Sequence, residues 1–329
     1  MGEYPVYDNG VYDAFDVRDE RFRAYRDAIA GSVAGKVVLD IGTGRDALWA
    51  VAAARAGAAH VYAIERQPDV AAQARSAVAG LGGRVTVLEG LSTDIDLLTP
   101  AQVCVSEIVG NIASAEGAVA VLTDARRRLC TADCLWIPFR MQTWAAAVSL
   151  PEGARMLASE SRPYVDKVFA AVGRPFDLRL CLGGPAAELL VSSAGLVESL
   201  VFDHRRPPPD ADEVASAQLT VEVAAARMTG LLLWSRIAVS PATSSREIDT
   251  LSGGTRGWAP VYVPLDATEI RSGDRLDVTW RRSTSDDGVH PDYHVSVTGP
   301  GAEEPLVWSS PHHGGGFRES ALHRELFPS

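Results

Sequence analysis

Asp40-Ile41-Gly42-Thr43-Gly44 closes a hydrophobic run, KVVLD. Two glycines at that spacing let a backbone turn sharply and pass close to a ligand, where a Cβ would intrude. Glu65 ends the next hydrophobic run, 21 residues beyond Gly44. A carboxylate there accepts hydrogen bonds from both hydroxyls of a ribose. A glycine loop with a ribose acid serves two ligand classes, NAD(P) and S-adenosyl-L-methionine (AdoMet). The NAD pattern here would be Gly42, Gly44 and Ala47. Two features tilt against it. Asp40 precedes the first glycine by two, where a carboxylate suits a cationic ligand and repels a pyrophosphate. Arg45 and Asp46 put bulk and a second carboxylate where phosphates need backbone N–H groups. AdoMet is the favoured ligand; NAD and a ligand-free turn of the same shape are the other readings.

Further on, the run QVCVSEI leads into Ser106-Glu107-Ile108-Val109-Gly110-Asn111-Ile112-Ala113-Ser114-Ala115-Glu116. Open α/β sheets bind substrates outside the carboxyl ends of their strands, and this segment leaves such an end. Glu107 and Glu116 are nine apart, with Gly110 between them to allow a bend. Two such carboxylates can face each other as a clamp. A planar guanidinium, with five N–H donors in a fork, matches that arrangement. An equal alternative is ordinary helix chemistry, with Glu107 capping a helix start and Glu116 solvated.

These residues need a scaffold. Residues 17–31 are amphipathic and predict a helix with Tyr25, Ala28 and Ile29 on its apolar side. From Lys36, strands alternate with helices: KVVLD, LWAVAAARAG, HVYAIE, VAAQARSAVAGL, RVTVLEG, QVCVSEI, then a helix over about 117–130. Gly57 closes the first of these helices. The alternation predicts a parallel, doubly wound α/β sheet of Rossmann type. The character changes near Trp136-Ile137-Pro138. Beyond it, RMQTWAAAV, QLTVEVAAA, GLLLWSRIAVS, APVYVPL, DRLDVTW and DYHVSVTG predict strands of an antiparallel barrel or sandwich. The expected division is therefore 1–137, with the N-terminal helix and nucleotide site, and 138–329, with the antiparallel β-barrel. RRPPPDAD reads as a polar connection and the closing GGGFRESALHRELFPS as a loosely docked tail.

The bulk figures narrow the function. The 329 residues suit about two domains, and 47% hydrophobic with 22% charged residues is a soluble balance. A formal net charge of -11 argues against nucleic acid as partner, since phosphate contacts need a basic surface. The acidic surface suits a cationic substrate, and is equally a common solubility device. No run approaches the length of a membrane span. The opening MGEYPVYDNG has neither a basic nor an apolar signal region, and the expectation is a cytoplasmic protein. The abundance of Ala, Arg, Gly and Pro suggests a GC-rich bacterial source. Cys130 and Cys134 lack zinc-site spacing and company, so Cys104, Cys130, Cys134 and Cys181 read as reduced thiols and no metal is expected. His204 reads as an exposed connection residue before a general base, and His312 and His313 as solvated. The tryptophans, Trp144, Trp234, Trp258 and Trp280 among them, read mostly as barrel core.

In this order along the chain, the motifs resemble those of the protein arginine methyltransferases. ERFRAYRDAI is similar to the family's N-terminal helix, with Arg21 at the arginine that holds the AdoMet carboxylate. KVVLDIGTG resembles its first motif, AGAAHVYAIE its second strand with Glu65 as ribose acid, and SEIVGNIASAE its double-glutamate loop. LWIPFR is similar to the strand and proline where the barrel begins. The resemblance implies AdoMet as cofactor, a β-barrel and a head-to-tail homodimer formed by an arm within 152–180. It also supports an aromatic lid from Tyr7 and Tyr12, with simple N-terminal packing as the equal alternative. The adenine-reading acid falls near Thr93, with Asp94 the adjacent carboxylate. Some positions depart from the pattern. The family's Thr-His-Trp loop corresponds to Arg256-Gly257-Trp258, the Asp that pairs with its His to Arg18, and a pocket Met to Phe15.

The resulting expectation is an AdoMet-dependent N-methyltransferase of a guanidino group, on free arginine, an arginine-derived metabolite or peptidyl arginine. Glu107 and Glu116 are the candidate catalytic residues. Arg21, Asp40, Gly42, Gly44, Glu65 and Asp94 are the candidate cofactor contacts. The alternative is an O- or C-methyltransferase of small molecules on the same scaffold. A non-catalytic dimeric scaffold comes from a different class, and the Gly42, Gly44 and Glu65 set argues against it.

Overall fold

Five hydrophobic runs pair into one parallel sheet. β1 (Val37–Ile41), β2 (His60–Glu65), β3 (Val85–Glu89), β4 (Ala101–Ser106) and β5 (Cys130–Ile137) lie in the order β3-β2-β1-β4-β5, with all neighbours parallel. The computed structural model describes residues 19–151, 179–182, 186–241, 247–252 and 258–313. The arm within 152–180 (but for its last two residues), the lid tyrosines, Phe15, Arg18, Arg256, Gly257 and the tail from 314 lie outside the described residues.

Parallel strands are joined by crossovers, and here these include helices. α1 (Glu20–Ala30) precedes the sheet; α2 (Leu48–Arg55), α3 (Pro68–Val78) and α4 (Ala118–Arg128) follow β1, β2 and β4 in sequence. Each presents an apolar stripe: Tyr25, Ala28 and Ile29 from α1, Trp49, Ala50, Ala53 and Ala54 from α2. Asp19 caps α1 by accepting the backbone N–H of Arg21 at 2.8 Å. The strand order reverses at β1, with β2 and β3 on one side and β4 and β5 on the other. At such a switch point the two outgoing loops part and leave a crevice. Ile41 lies opposite Ser106 in the register, so Gly42 and Glu107 are the adjacent exits from β1 and β4.

The first sheet ends at Ile137, whose bond to Pro138 is cis. Antiparallel structure follows. β6 (Arg140–Val148), β7 (Leu180–Cys181), β8 (Gly195–Val201), β10 (Ala225–Ala238) and β12 (Val261–Arg271) run in the order β7-β12-β10-β6-β8, and β11 (Ile248–Asp249) pairs with β10. β9 (Glu213–Thr220), β13 (Arg275–Thr284), β14 (Pro291–Thr298) and β15 (Leu306–Ser310) form a second sheet, β15-β14-β13-β9. One core is drawn from both sheets and includes Leu231, Leu233, Val261, Val263, Trp280 and Val295. Backbone bonds also link their margins: Ser193 N–H to Thr220 O at 2.8 Å and Glu222 N–H to Val191 O at 3.0 Å. The result is a barrel-like closure of two antiparallel sheets.

Several expectations are corrected. QLTVEVAAA is not one strand, because β9 ends at Thr220 and β10 begins at Ala225. β8 and β15 were not expected as strands. GLVESLV carries a charge in mid-run, and that charge is buried: Glu198 is 1% exposed. His312 is not solvated. It is buried and stacks on His290 with ring centroids 4.1 Å apart. No helix among the described residues is long and apolar enough to cross a membrane.

Candidate active site

The glycine loop is built as its composition demands. Gly42 and Gly44 have φ of 74° and 68°, left-handed values that L side chains rarely adopt. The N–H groups of Gly42 and Thr43 both reach Ile64 O at 3.0 Å. Glu65, at the end of β2, is buried and faces the loop. Its Oε2 accepts the Gly44 N–H at 3.1 Å, and its Oε1 accepts the Gln67 N–H at 2.9 Å. One carboxylate thus spans the turn after β1 and the turn after β2.

Asp40 is fully buried. Its Oδ2 accepts the Thr43 hydroxyl at 2.6 Å and the Ala50 N–H at 3.0 Å. Its Oδ1 is buried with no hydrogen-bond partner among the described residues. Burial pushes the Asp40 carboxyl up to about 7, against the Thr43 and Ala50 bonds. In the folded chain Asp40 therefore holds a proton that an unfolded Asp loses near pH 4. Its contribution to stability is greatest at low pH and falls as pH rises from about 4 to about 7. Asp40→Asn removes this dependence. The difference in unfolding free energy, variant minus wild type, is expected to grow in the variant's favour between pH 5 and 8. Equilibrium unfolding across that range checks it; a constant difference contradicts it.

The double-glutamate loop joins the two halves of the molecule. Glu107 lies on the Rossmann side. Its Oε1 is 3.1 Å from Arg21 Nη1, and its Oε2 accepts the Trp49 indole N–H at 2.7 Å. Arg21 is itself buried beneath Trp258, 4.8 Å from its ring centre. Tyr25, one turn beyond Arg21 on α1, stacks on Trp49 at 4.9 Å. Burial raises the Tyr25 hydroxyl well above its ordinary value, and the charges of Glu107 and Glu116 raise it further while Arg21 opposes.

The rest of the loop is strapped to the barrel. Ser235 on β10 donates to Asn111 O at 3.1 Å, and Asn111 Oδ1 accepts the Ala259 N–H at 2.9 Å. Thr143 Oγ accepts the Ala113 N–H at 3.0 Å. Ser114 Oγ lies 2.6 Å from Glu198 and 2.7 Å from the Tyr293 hydroxyl. Glu116 is half-buried at the end of this stretch. The position of Glu107 is dictated by β4, α1 and α2, and the stretch leading to Glu116 is held by the barrel.

Burial also raises the Glu107 carboxyl, against the lowering effects of Arg21 and the Trp49 bond. Trp49→Phe keeps an aromatic ring beside Tyr25 and deletes the N–H. Glu107 then rises further. An activity that needs the carboxylate is lost as pH falls, and in Trp49→Phe that loss begins at higher pH. The acidic limb of a kcat/KM profile reads this directly; an unmoved limb contradicts it.

Asp94 lies in a short turn after β3, exposed, 3.3 Å from the Thr93 hydroxyl. His204 is near Asp203, at 3.7 Å, on the proline-rich connection. Two residues of the site, Trp49 and Tyr25, had no role in the sequence reading beyond packing. A lone large aromatic in the Ala-rich run LWAVAAAR was the available signal for Trp49. The spacing of four from Arg21 was the signal for Tyr25.

This fold is that of the protein arginine methyltransferases. The structure overlays on Arabidopsis thaliana protein arginine methyltransferase 10 with a TM-score of 0.71, at 19% identity, covering 93% of this chain and 97% of that one. It overlays on a chain of the Trypanosoma brucei PRMT1 enzyme-prozyme heterotetrameric complex with AdoHcy with a TM-score of 0.70, at 20% identity, covering 92% and 97%. In sequence, the chain is 31% identical over 148 residues to a probable protein arginine N-methyltransferase 6 of Arabidopsis thaliana, covering 44% of this chain and 34% of the relative. It is 38% identical over 128 residues to an arginine N(omega)-methyltransferase of Streptomyces achromogenes subsp. streptozoticus, covering 37% and 35%. These matches span about a third of the relatives' lengths. No protein-family model matches the chain.

Proposed function

We propose that this protein is an AdoMet-dependent N-methyltransferase acting on a guanidino group. The observation that carries this reading is the fixing of Glu107 by Arg21 and Trp49 at the exit of β4, beside the glycine loop of Gly42 and Gly44. The names of the similar proteins, arginine methyltransferases of plant and bacterial source, support it.

The residues fit the cofactor. Gly42 and Gly44 carry no Cβ at two points of the loop, Glu65 presents a carboxylate to a diol, and Arg21 offers a buried cation to a carboxylate. Asp40, whose carboxyl is pushed up to about 7, adds negative potential suited to a cationic ligand above that pH. Asp94 is assigned to the adenine end. When bound, AdoMet supplies an activated methyl group on a sulfonium. No metal is required by this chemistry.

The chain's own residues do the rest. A guanidinium is delocalised and a weak nucleophile. Glu107 and Glu116 accept its N–H groups from two sides, orient it and concentrate electron density on one nitrogen. Trp49 fixes Glu107 and shields it from water. The proton leaves late, to one of the two glutamates or to solvent. Arg21 occupies one side of Glu107. A cofactor carboxylate on Arg21 would release that oxygen for the substrate. The name of the Streptomyces relative favours arginine itself as the acceptor. A homodimer completes this reading.

Titration calorimetry with S-adenosylhomocysteine tests the cofactor half. The wild type is expected to bind, and Glu65→Ala to bind about 10- to 100-fold more weakly through loss of charge-assisted hydrogen bonds. No binding by the wild type would remove the reading.

A further inference from the structure

We propose that Asp287, His290 and His312 form a binding site for a divalent transition-metal ion of the zinc class. Asp287 and His290 lie on the turn between β13 and β14, and His312 follows β15. One donor atom from each lies within 4.8 Å of the others. Asp287 Oδ2 is the shared neighbour, 2.6 Å from His290 Nδ1 and 3.4 Å from His312 Nε2. The two imidazoles are stacked with an interplanar angle of 5°, so one ring must tilt out of the stack for both in-plane lone pairs to meet at one ion. The His312 side chain is 9% exposed, while Asp287 and His290 are 23% and 27% exposed and leave a route in from solvent.

The donor set selects the ion. Two imidazoles with one carboxylate suit zinc and its neighbours in the first transition row, whereas calcium and magnesium take oxygen ligands. Bonds of about 2.0–2.1 Å in a tetrahedron put donor atoms about 3.3 Å apart. The Asp287–His312 pair already has that separation. The Asp287–His290 pair is at hydrogen-bond distance and must open by less than about 1 Å as the ion takes the place of the proton. The His290 ring then carries its N–H on Nε2. Three protein donors leave a fourth position for water.

The carboxylate ligand is held in advance. Asp287 Oδ1 accepts the backbone N–H groups of Val289 and His290, both at 2.8 Å, which leaves Oδ2 turned to the rings. Asp292 Oδ1 accepts the backbone N–H of His312 at 2.7 Å. Asp286 Oδ1 lies 2.5 Å from His313 Nδ1 and adds a carboxylate beside the cluster. The site also adjoins the double-glutamate loop. A Cβ on Gly117 would come within 2.6 Å of Val289 Cγ1. An ion on Asp287 and His290 thus fixes the turn on which the residue after Glu116 rests.

Chelator-treated, untagged full-length protein tests this with zinc, followed by competition against a chromophoric chelator, and with cobalt(II), followed by its visible absorption. The expected result is one ion per chain, a tetrahedral cobalt spectrum and a rise in melting temperature. His290→Ala and His312→Ala should each weaken binding by about a hundredfold or more. Asp287→Asn keeps an oxygen for the two backbone N–H groups and loses only the anionic ligand, so the turn survives and binding falls with it. No uptake by the wild type, or equal uptake by the wild type and all three variants, would overturn the proposal.

Discussion

Glu107→Gln should lower kcat by about 10²- to 10³-fold and leave S-adenosylhomocysteine affinity within a few-fold of wild type. The reason lies in the two oxygens. Oε2 accepts the Trp49 N–H at 2.7 Å and Oε1 lies 3.1 Å from Arg21. A glutamine retains one acceptor, so the Trp49 bond and the packing persist. What it loses is the negative charge. Its NH2 group also points a donor at the guanidinium, which has only donors to offer. The substrate is then neither oriented nor polarised by that side of the clamp. Because the glycine loop and Glu65 are untouched, the nucleotide part of the cofactor keeps its partners. Steady-state kinetics with calorimetry on the same preparation checks both halves. Wild-type turnover in Glu107→Gln would sink the clamp.

The second large effect concerns the barrel. Arg282 and Glu198 are an ion pair with side chains 1% and 0% exposed. Glu198 also accepts the hydroxyls of Ser114 and Thr143, at 2.6 and 2.8 Å. Arg282 donates to the carbonyls of Asp210 and Ala211 and thereby anchors the proline-rich connection. Arg282→Met leaves Glu198 as a buried carboxylate without its cation, which costs about 3–5 kcal/mol. The added variant Glu198→Gln should recover part of that loss, since a neutral amide needs no counter-charge. Urea unfolding of the single and double variants measures this. A single variant as stable as wild type, or a double variant less stable than Arg282→Met alone, contradicts the argument. The single variant should also lose turnover, because Glu198 holds Ser114, two residues before Glu116.

These two cases separate what could be read from the sequence from what could not. Asp40–Gly44 and Glu65 were visible because they are local. A strand, a glycine turn and an acid on the next strand depend only on short spacings and hydrophobic periodicity. The parallel sheet followed from the same alternation. The fastening of the loop depends on partners far apart in sequence: Ser114 meets Tyr293, 179 residues away, and Arg282 meets Glu198, 84 away. No spacing rule links such residues. Glu198 misled for a further reason, because a charge in a short run reads as a surface break. It is buried here only because an arginine from the opposite sheet reaches it. His312 misled in the same way. A histidine near a polar, glycine-rich end reads as solvated until another ring is found stacked on it. Trp49 packs in the core of the parallel-sheet half, and its indole N–H reaches Glu107 only because β1 and β4 are neighbours.

The most direct test of guanidine methylation is mass spectrometry after incubating the full-length protein with AdoMet and either free L-arginine or an arginine-rich peptide. The account predicts an added methyl group on a guanidino nitrogen of one of them, and none with Glu107→Gln. No methylated product from either acceptor, by protein that binds S-adenosylhomocysteine, would contradict it.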